Sequence, residues 1–172
     1  YYTGRDGIVK YIYENITYVV NEYTGEEVTS FAKPIVLDCV PITKEMVEHH
    51  QKAEATIARD KTKWTSNTVI VVDTSGSMRN ADVFETRTRL DAVWLCIALD
   101  FIAHRLESGA AGSLDVVSIV TLGSYSRALA LEQPTSWTLY NKIVDIYNNK
   151  TVQPYGHGPY MPSLNLAEEL LN

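Results

Sequence analysis

The 172 residues are 45% hydrophobic and 21% charged, the balance of a globular chain long enough to bury a core. A formal charge of -6, with fifteen Lys and Arg scattered rather than gathered into a stripe, argues against phosphate-backbone binding, so no nucleic-acid partner is expected. The longest apolar run, Ala92 to Leu99, falls far short of the roughly 20 residues that cross a bilayer, so no membrane span is expected in this segment.

Cys39 and Cys96 cannot make a disulfide framework. Cys96 sits amid apolar neighbours and reads as a reduced core thiol, which favours a reducing, intracellular compartment. The sequons at Asn15 and Asn149 are short enough to recur by chance. A start at Tyr1 rather than Met, and a stop at Asn172 inside a helical pattern, read as a piece of a longer product.

In chain order, Gly7 to Val40 reads as a small β-meander. IVKYIYE and ITYVV are β-branched and aromatic, YTGEE is turn-like before VTSF, and PIVLDCV follows as a further strand. After Pro41, Thr43 is a candidate N-cap for an amphipathic helix that places Met46, His50, Ala53 and Ile57 on one stripe. The adjacent His49 and His50 point about 100° apart on that helix. They cannot form an i, i+4 metal pair, so one is expected to face inward and the other solvent.

From Val69 strand and helix alternate. The run VIVV ends in Asp73. Thr88 and Asp91 have capping-box spacing, and Leu90, Val93, Trp94, Ile97 and Phe101 line one face of a helix ending near Ser108 and Gly109. Asp91, Asp100 and Arg105 fall on its other face. DVVSIVTLG, Asp115 to Gly123, reads as a strand buried on both faces, and RALALEQ as its hairpin partner. SWTLYNKIVDIYNN and PSLNLAEELLN read as two further helices, with Pro162 suited to the first turn of the second. Trp94, Tyr140 and Tyr147 read as core.

The chemistry lies in VIVVDTSGSMRN, Val69 to Asn80. Loops at the C-terminal ends of parallel strands face the crevice where α/β folds place ligands. Asp73 offers a carboxylate there, and Ser75 and Ser77 can turn hydroxyls to the same point if the loop curls, which Gly76 permits. One acid with two neutral oxygens is a hard, incomplete oxygen site of the kind Mg²⁺ accepts while keeping waters. The plainer alternative is that these side chains only cap a turn.

The run hhhhDTSGSM resembles the first motif of the von Willebrand factor type A (VWA) domain, whose metal-ion-dependent adhesion site begins DxSxS. RLDAVWLCIALDFIAHRL resembles that family's first helix, DVVSIVTLG its second strand and SRALALEQ its antiparallel edge strand. The resemblance covers Thr65 to Asn172. It implies a three-layer, Rossmann-like α/β fold with sheet order 3-2-1-4-5-6, so a chain carrying three strands leaves Val69 to Asp73 at an edge. An uncovered edge of that apolarity would be sticky unless residues before Trp64 cover it.

The resemblance also implies a Thr from a second loop and an Asp from a third. GHGPYMPSLNLA, Gly156 to Ala167, looks like the second loop, but spacing puts Gly158, or Pro159 with a one-residue shift, where the Thr is expected. Tyr160, Ser163 or a water remain as substitutes. His157 reads as a loop residue rather than a hard-metal ligand. The third-loop Asp is expected beyond Asn172.

A phosphatase of the haloacid-dehalogenase type wants a second Asp where Ser75 stands. GxSxG and GxxxxGK[ST] are both absent, so no enzyme activity is expected on these residues. The sequence thus reads as residues 1–64, a β-rich region with a helix, followed by residues 65–172, the N-terminal half of a VWA domain. The expected function is protein binding through Mg²⁺, or Mn²⁺ or Ca²⁺, held by Asp73, Ser75 and Ser77 and bridged to a partner's acidic side chain. The alternatives are a metal-independent scaffold and a recruitment module of a larger enzyme.

Overall fold

The computed structural model describes the backbone of the strands within the first 34 residues, and residues 35–83, 86, 88–124 and 126–172. The chain forms two compact units, one containing Tyr1–Ile35 and the other Val36–Val83 with Arg87–Asn172. In the first, β1 (Tyr2–Thr3), β2 (Ile8–Tyr13), β3 (Ile16–Asn21) and β4 (Glu27–Val28) form one sheet in chain order. Every pairing is antiparallel, with β2 and β3 in register from Ile8↔Asn21 to Tyr13↔Ile16. This is the meander that the β-branched runs predict. The end of VTSF and the sequon residue Asn15 lie outside the described residues.

The described part of PIVLDCV, Ile35 to Val40, is not assigned to a strand, against the sequence reading. Instead, asparagine side chains of helix α4 (Trp137–Asn149) satisfy its backbone. Asn141 accepts from Val40 N–H and donates to Val40 C=O, both at 2.8 Å, and Asn148 donates to Leu37 C=O at 2.9 Å. With its carbonyl satisfied this way, Leu37 is buried in the core at 4% exposure outside any sheet.

Helix α1 (Lys44–Arg59) is capped by Thr43, whose hydroxyl accepts from Met46 N–H. It buries His50, Ala53 and Ile57 and packs on strand β7 (Arg127–Pro134). His49 is exposed and His50 buried, as two adjacent helical positions must diverge.

The second sheet has order β5-β6-β7, with β5 at Ser66–Asp73 and β6 at Asp115–Leu122. β5 and β6 are parallel from Ser66↔Asp115 to Asp73↔Leu122, and β6 and β7 are antiparallel. All eight residues of β6 are buried, the mark of a strand covered on both faces. Val117 and Ile119 join Val72, Trp94, Ile143 and Val144 in the main core, while Val116 and Val120 point to the other face and are equally sealed. Helix α5 (Tyr160–Leu171) packs on β5 and β6. β5 is an edge of this sheet, and of the segment between Val36 and Trp64 it is α1 that meets the sheet, at β7.

At the start of β6 the Asp115 carboxylate ties the sheet to its surroundings. Oδ1 accepts from the Thr65 and Ser66 hydroxyls at 2.6 and 2.9 Å, and Oδ2 from Gly112 N–H at 2.8 Å and Arg105 Nη2 at 2.9 Å. Burial pushes this carboxyl up, but the bonds from Thr65, Gly112 and Ser66 and the Arg105 charge together outweigh it and hold the group below the ordinary Asp value.

The helix after β5 begins as α2 (Arg89–Leu95), widens to a π-helix over Cys96–Ala103, and returns to α3 (His104–Glu107). Thr88 caps it through Asp91 N–H at 3.1 Å. Two expectations fail here. Asp91, placed by the sequence on the face away from the apolar stripe, is instead 4% exposed and pairs with Lys150, the residue directly after α4. Cys96 is not a core thiol but exposed. In the π-helical stretch the inward positions are Ile97, Ala98, Ile102 and Ala103, five residues apart in pairs, and Cys96 faces away from them.

Candidate metal centre

β5 delivers Asp73 to the end of the sheet that also carries Leu122, the last residue of β6. The next residue locks the loop: Thr74 donates to Leu122 C=O from its N–H at 2.7 Å and its hydroxyl at 3.0 Å. Ser75 N–H then donates to Asp73 Oδ1 at 2.7 Å, folding the chain back over the carboxylate. A short 3₁₀ turn over Gly76–Arg79 follows, and it brings Ser77 Oγ to 3.2 Å from Ser75 Oγ. The two serine hydroxyls are thus neighbours, and Asp73 joins them through the Ser75 backbone.

A second loop lies across the first. Tyr155 N–H donates to Thr74 C=O and Gly76 N–H to Gly156 C=O, both at 2.9 Å. Gly156 has φ +64°, and a Cβ there would stand 2.2 Å from Ser124 Oγ, so both conformation and space demand glycine. Arg79, which the sequence did not single out, clamps the two loops: Nε donates to Gly76 C=O at 3.0 Å and Nη2 reaches Pro154 C=O at 3.4 Å. No local pattern could have announced that contact, because its partner is 75 residues away.

Gly158 is the residue of the second loop that meets Asp73 and Ser75. A Cβ on it would lie 3.6 Å from Asp73 Oδ1, 3.2 Å from Ser75 Cβ and 2.9 Å from Leu122 Cδ2. The proposed substitutes are engaged elsewhere or turned out. Ser163 is fully buried, donating to Thr121 C=O at 3.2 Å and accepting from Ser126 Oγ at 2.8 Å, so its hydroxyl serves α5 packing. Tyr160 is 67% exposed, and His157 is exposed.

The donors fit a hard cation in kind and in part in number. Asp73, Ser75 and Ser77 offer only oxygen, and the 3.2 Å between the serine hydroxyls is close to the roughly 3 Å that separates adjacent ligands of an octahedral Mg²⁺. Among the described residues no group of three or more His, Cys, Asp or Glu could hold a metal, so a cation here would depend on hydroxyls and water for most of its shell.

Among the described residues no helix is long and apolar enough to cross a membrane. No protein-family model matches the chain, and no curated protein matches it. Among solved structures it is similar to the crystal structure of an uncharacterized membrane-spanning protein from Vibrio fischeri, at 22% identity and a TM-score of 0.47. The alignment covers 61% of this chain and 48% of that one, so the chain spans about half the length of the protein it matches.

Proposed function

We propose that the α/β unit is a protein-binding domain of the VWA type, three-layered and Rossmann-like, that engages an acidic side chain of a partner through a divalent cation at Asp73, Ser75 and Ser77. The observation that supports this reading is that the loop at the C-terminal end of a parallel strand folds Ser75 N–H onto the Asp73 carboxylate and sets the Ser75 and Ser77 hydroxyls 3.2 Å apart. Mg²⁺ bound there would supply positive charge and open coordination positions to a carboxylate. The chain's own part is to aim the Asp73 carboxylate, through the Ser75 N–H, and to keep the loop in place through Thr74 and Arg79. These residues give no nucleophile paired with a base, so the reading is of a binding module, not an enzyme.

One observation favours a second reading, a metal-independent scaffold. The two loops are held by backbone bonds and Arg79 with no cation needed, and Gly158 offers no oxygen side chain. Calorimetric titration of the protein with Mg²⁺ and Mn²⁺ separates the two. Saturable heat that disappears in Asp73→Ala supports the metal site, whereas an absence of heat with partner binding intact in Asp73→Ala supports the scaffold.

A further inference from the structure

At the end of the second sheet opposite Asp73, a cavity of about 380 Å³ opens between α1 and the first turn of α4. Thr135 fixes that turn to the start of β6, donating to Asp115 C=O from its N–H at 2.8 Å and its hydroxyl at 3.0 Å. Met46, Leu106, Ala111 and Trp137 give the cavity apolar walls. His50 also lines it, although its residue is only 9% exposed.

Among the described residues His50 is hydrogen-bonded through one ring nitrogen only, Nδ1, to the Ser136 hydroxyl. Ser136 is the N-cap of α4, and its Oγ accepts from Leu139 N–H at 3.2 Å. In the tautomer in which that hydroxyl donates to His50 Nδ1, 3.0 Å away, the neutral ring carries its own proton on Nε2. Among the described residues Nε2 has no partner, and neither do the N–H groups of Trp137 and Thr138, the first two residues of this 13-residue helix. A helix N-terminus carries partial positive charge as well as free donors. In that tautomer His50 Nε2–H and the two N–H groups are three donors on residues that line an apolar cavity whose size suits a small ligand.

We propose that this cavity binds a small carboxylate with an apolar body, its oxygens on His50 Nε2–H and the Trp137 and Thr138 N–H groups and its body against Met46, Leu106 and Trp137. The carboxylate of Glu45 at the rim has the wrong sign for such a ligand, but it is exposed and solvent-screened, whereas His50 is desolvated. The site is independent of Asp73 and of any metal there.

The test is an NMR titration of the full chain with phenylacetate, phenylacetamide and phenethylamine, followed at the Trp137 indole N–H and the His50 ring. Saturable shifts are expected with the acid, at an affinity about tenfold above that of the neutral amide, because the donors then meet a charge. His50→Phe keeps a ring and drops the Nε2 donor, so it should narrow the gap between acid and amide. Ala111→Leu fills the cavity without touching a donor and should abolish binding of both. Amide binding equal to acid, amine binding tighter than acid, no saturable shift with the acid, or unchanged binding in Ala111→Leu would each overturn the proposal.

Discussion

Lys150 reaches the buried carboxylate of Asp91 from a residue held in the left-handed conformation, φ 52°, directly after α4. Its ammonium also lies 4.4 Å from the centre of the Tyr147 ring. The position is the one where glycine commonly ends a helix. Here the backbone cost of a side chain, about 1 kcal/mol, is offset by a charge that neutralises Asp91. Lys150→Ala should destabilise the fold by about 2 kcal/mol, because it strands a carboxylate that is 5% exposed and keeps the strained backbone. Lys150→Gly loses the same pair but relieves the backbone, and urea unfolding should place it about 1 kcal/mol above Lys150→Ala.

Asp115 gives the fold an acid-sensitive stabilisation. Its folded carboxyl lies below the ordinary value, so the stabilisation is complete above an unfolded pKa of about 3.9 and fades as pH falls through the lower folded value. Asp115→Asn keeps an acceptor for Thr65 and Ser66 but removes the charge facing Arg105. At pH 7 the variant should be less stable than the parent by about 2 kcal/mol. Unfolding curves taken downward from pH 5 should show that difference shrinking below about pH 4.

At Gly158 the missing oxygen can be added back. The φ of Gly158 lies outside the left-handed region, and the tightest neighbour of a new Cβ is Leu122 Cδ2, the far end of a flexible side chain. Gly158→Thr should therefore fold, at a cost of about 1 kcal/mol for moving Leu122. If the cation site exists, the added hydroxyl beside Asp73 should raise Mg²⁺ affinity about tenfold by calorimetry, since ligand count tunes such sites. Gly158→Ala carries the same steric load without the oxygen and should give no gain.

Cys96 is accessible yet should react sluggishly. Desolvation pushes its thiol up, and a hydrogen bond to Asp100 and that residue's negative charge push it further. Alkylation at pH 8 should proceed more slowly than for a free thiol such as glutathione, because the thiolate is the nucleophile. Asp100→Asn should speed it severalfold, read by mass spectrometry of the modified peptide.

What the sequence made legible follows from range. The α1 stripe, the doubly buried β6 and the caps at Thr43 and Thr88 depend on neighbours within a turn or on alternation, and each is found in place. Ile35 to Val40 looked like a strand because apolar runs do not say what will satisfy their backbone, and the answer lay in Asn141 and Asn148 about a hundred residues on. Cys96 faces outward, against the core reading, because apolar sequence neighbours do not say which way a helical residue points. In the candidate site, Asp73, Ser75 and Ser77 were readable from spacing, since five consecutive residues make their own loop. Arg79 was not, because its role exists only once Pro154 has been brought beside it.

β5 is an end strand of the second sheet, and Asp73 is its last residue. A chain laid along that edge would run about 5 Å from β5 and finish beside Asp73. The last residue of that strand is the carboxylate that the Ser75 N–H holds, so the one strand against which the sheet could be lengthened on this side also ends in the candidate metal residue.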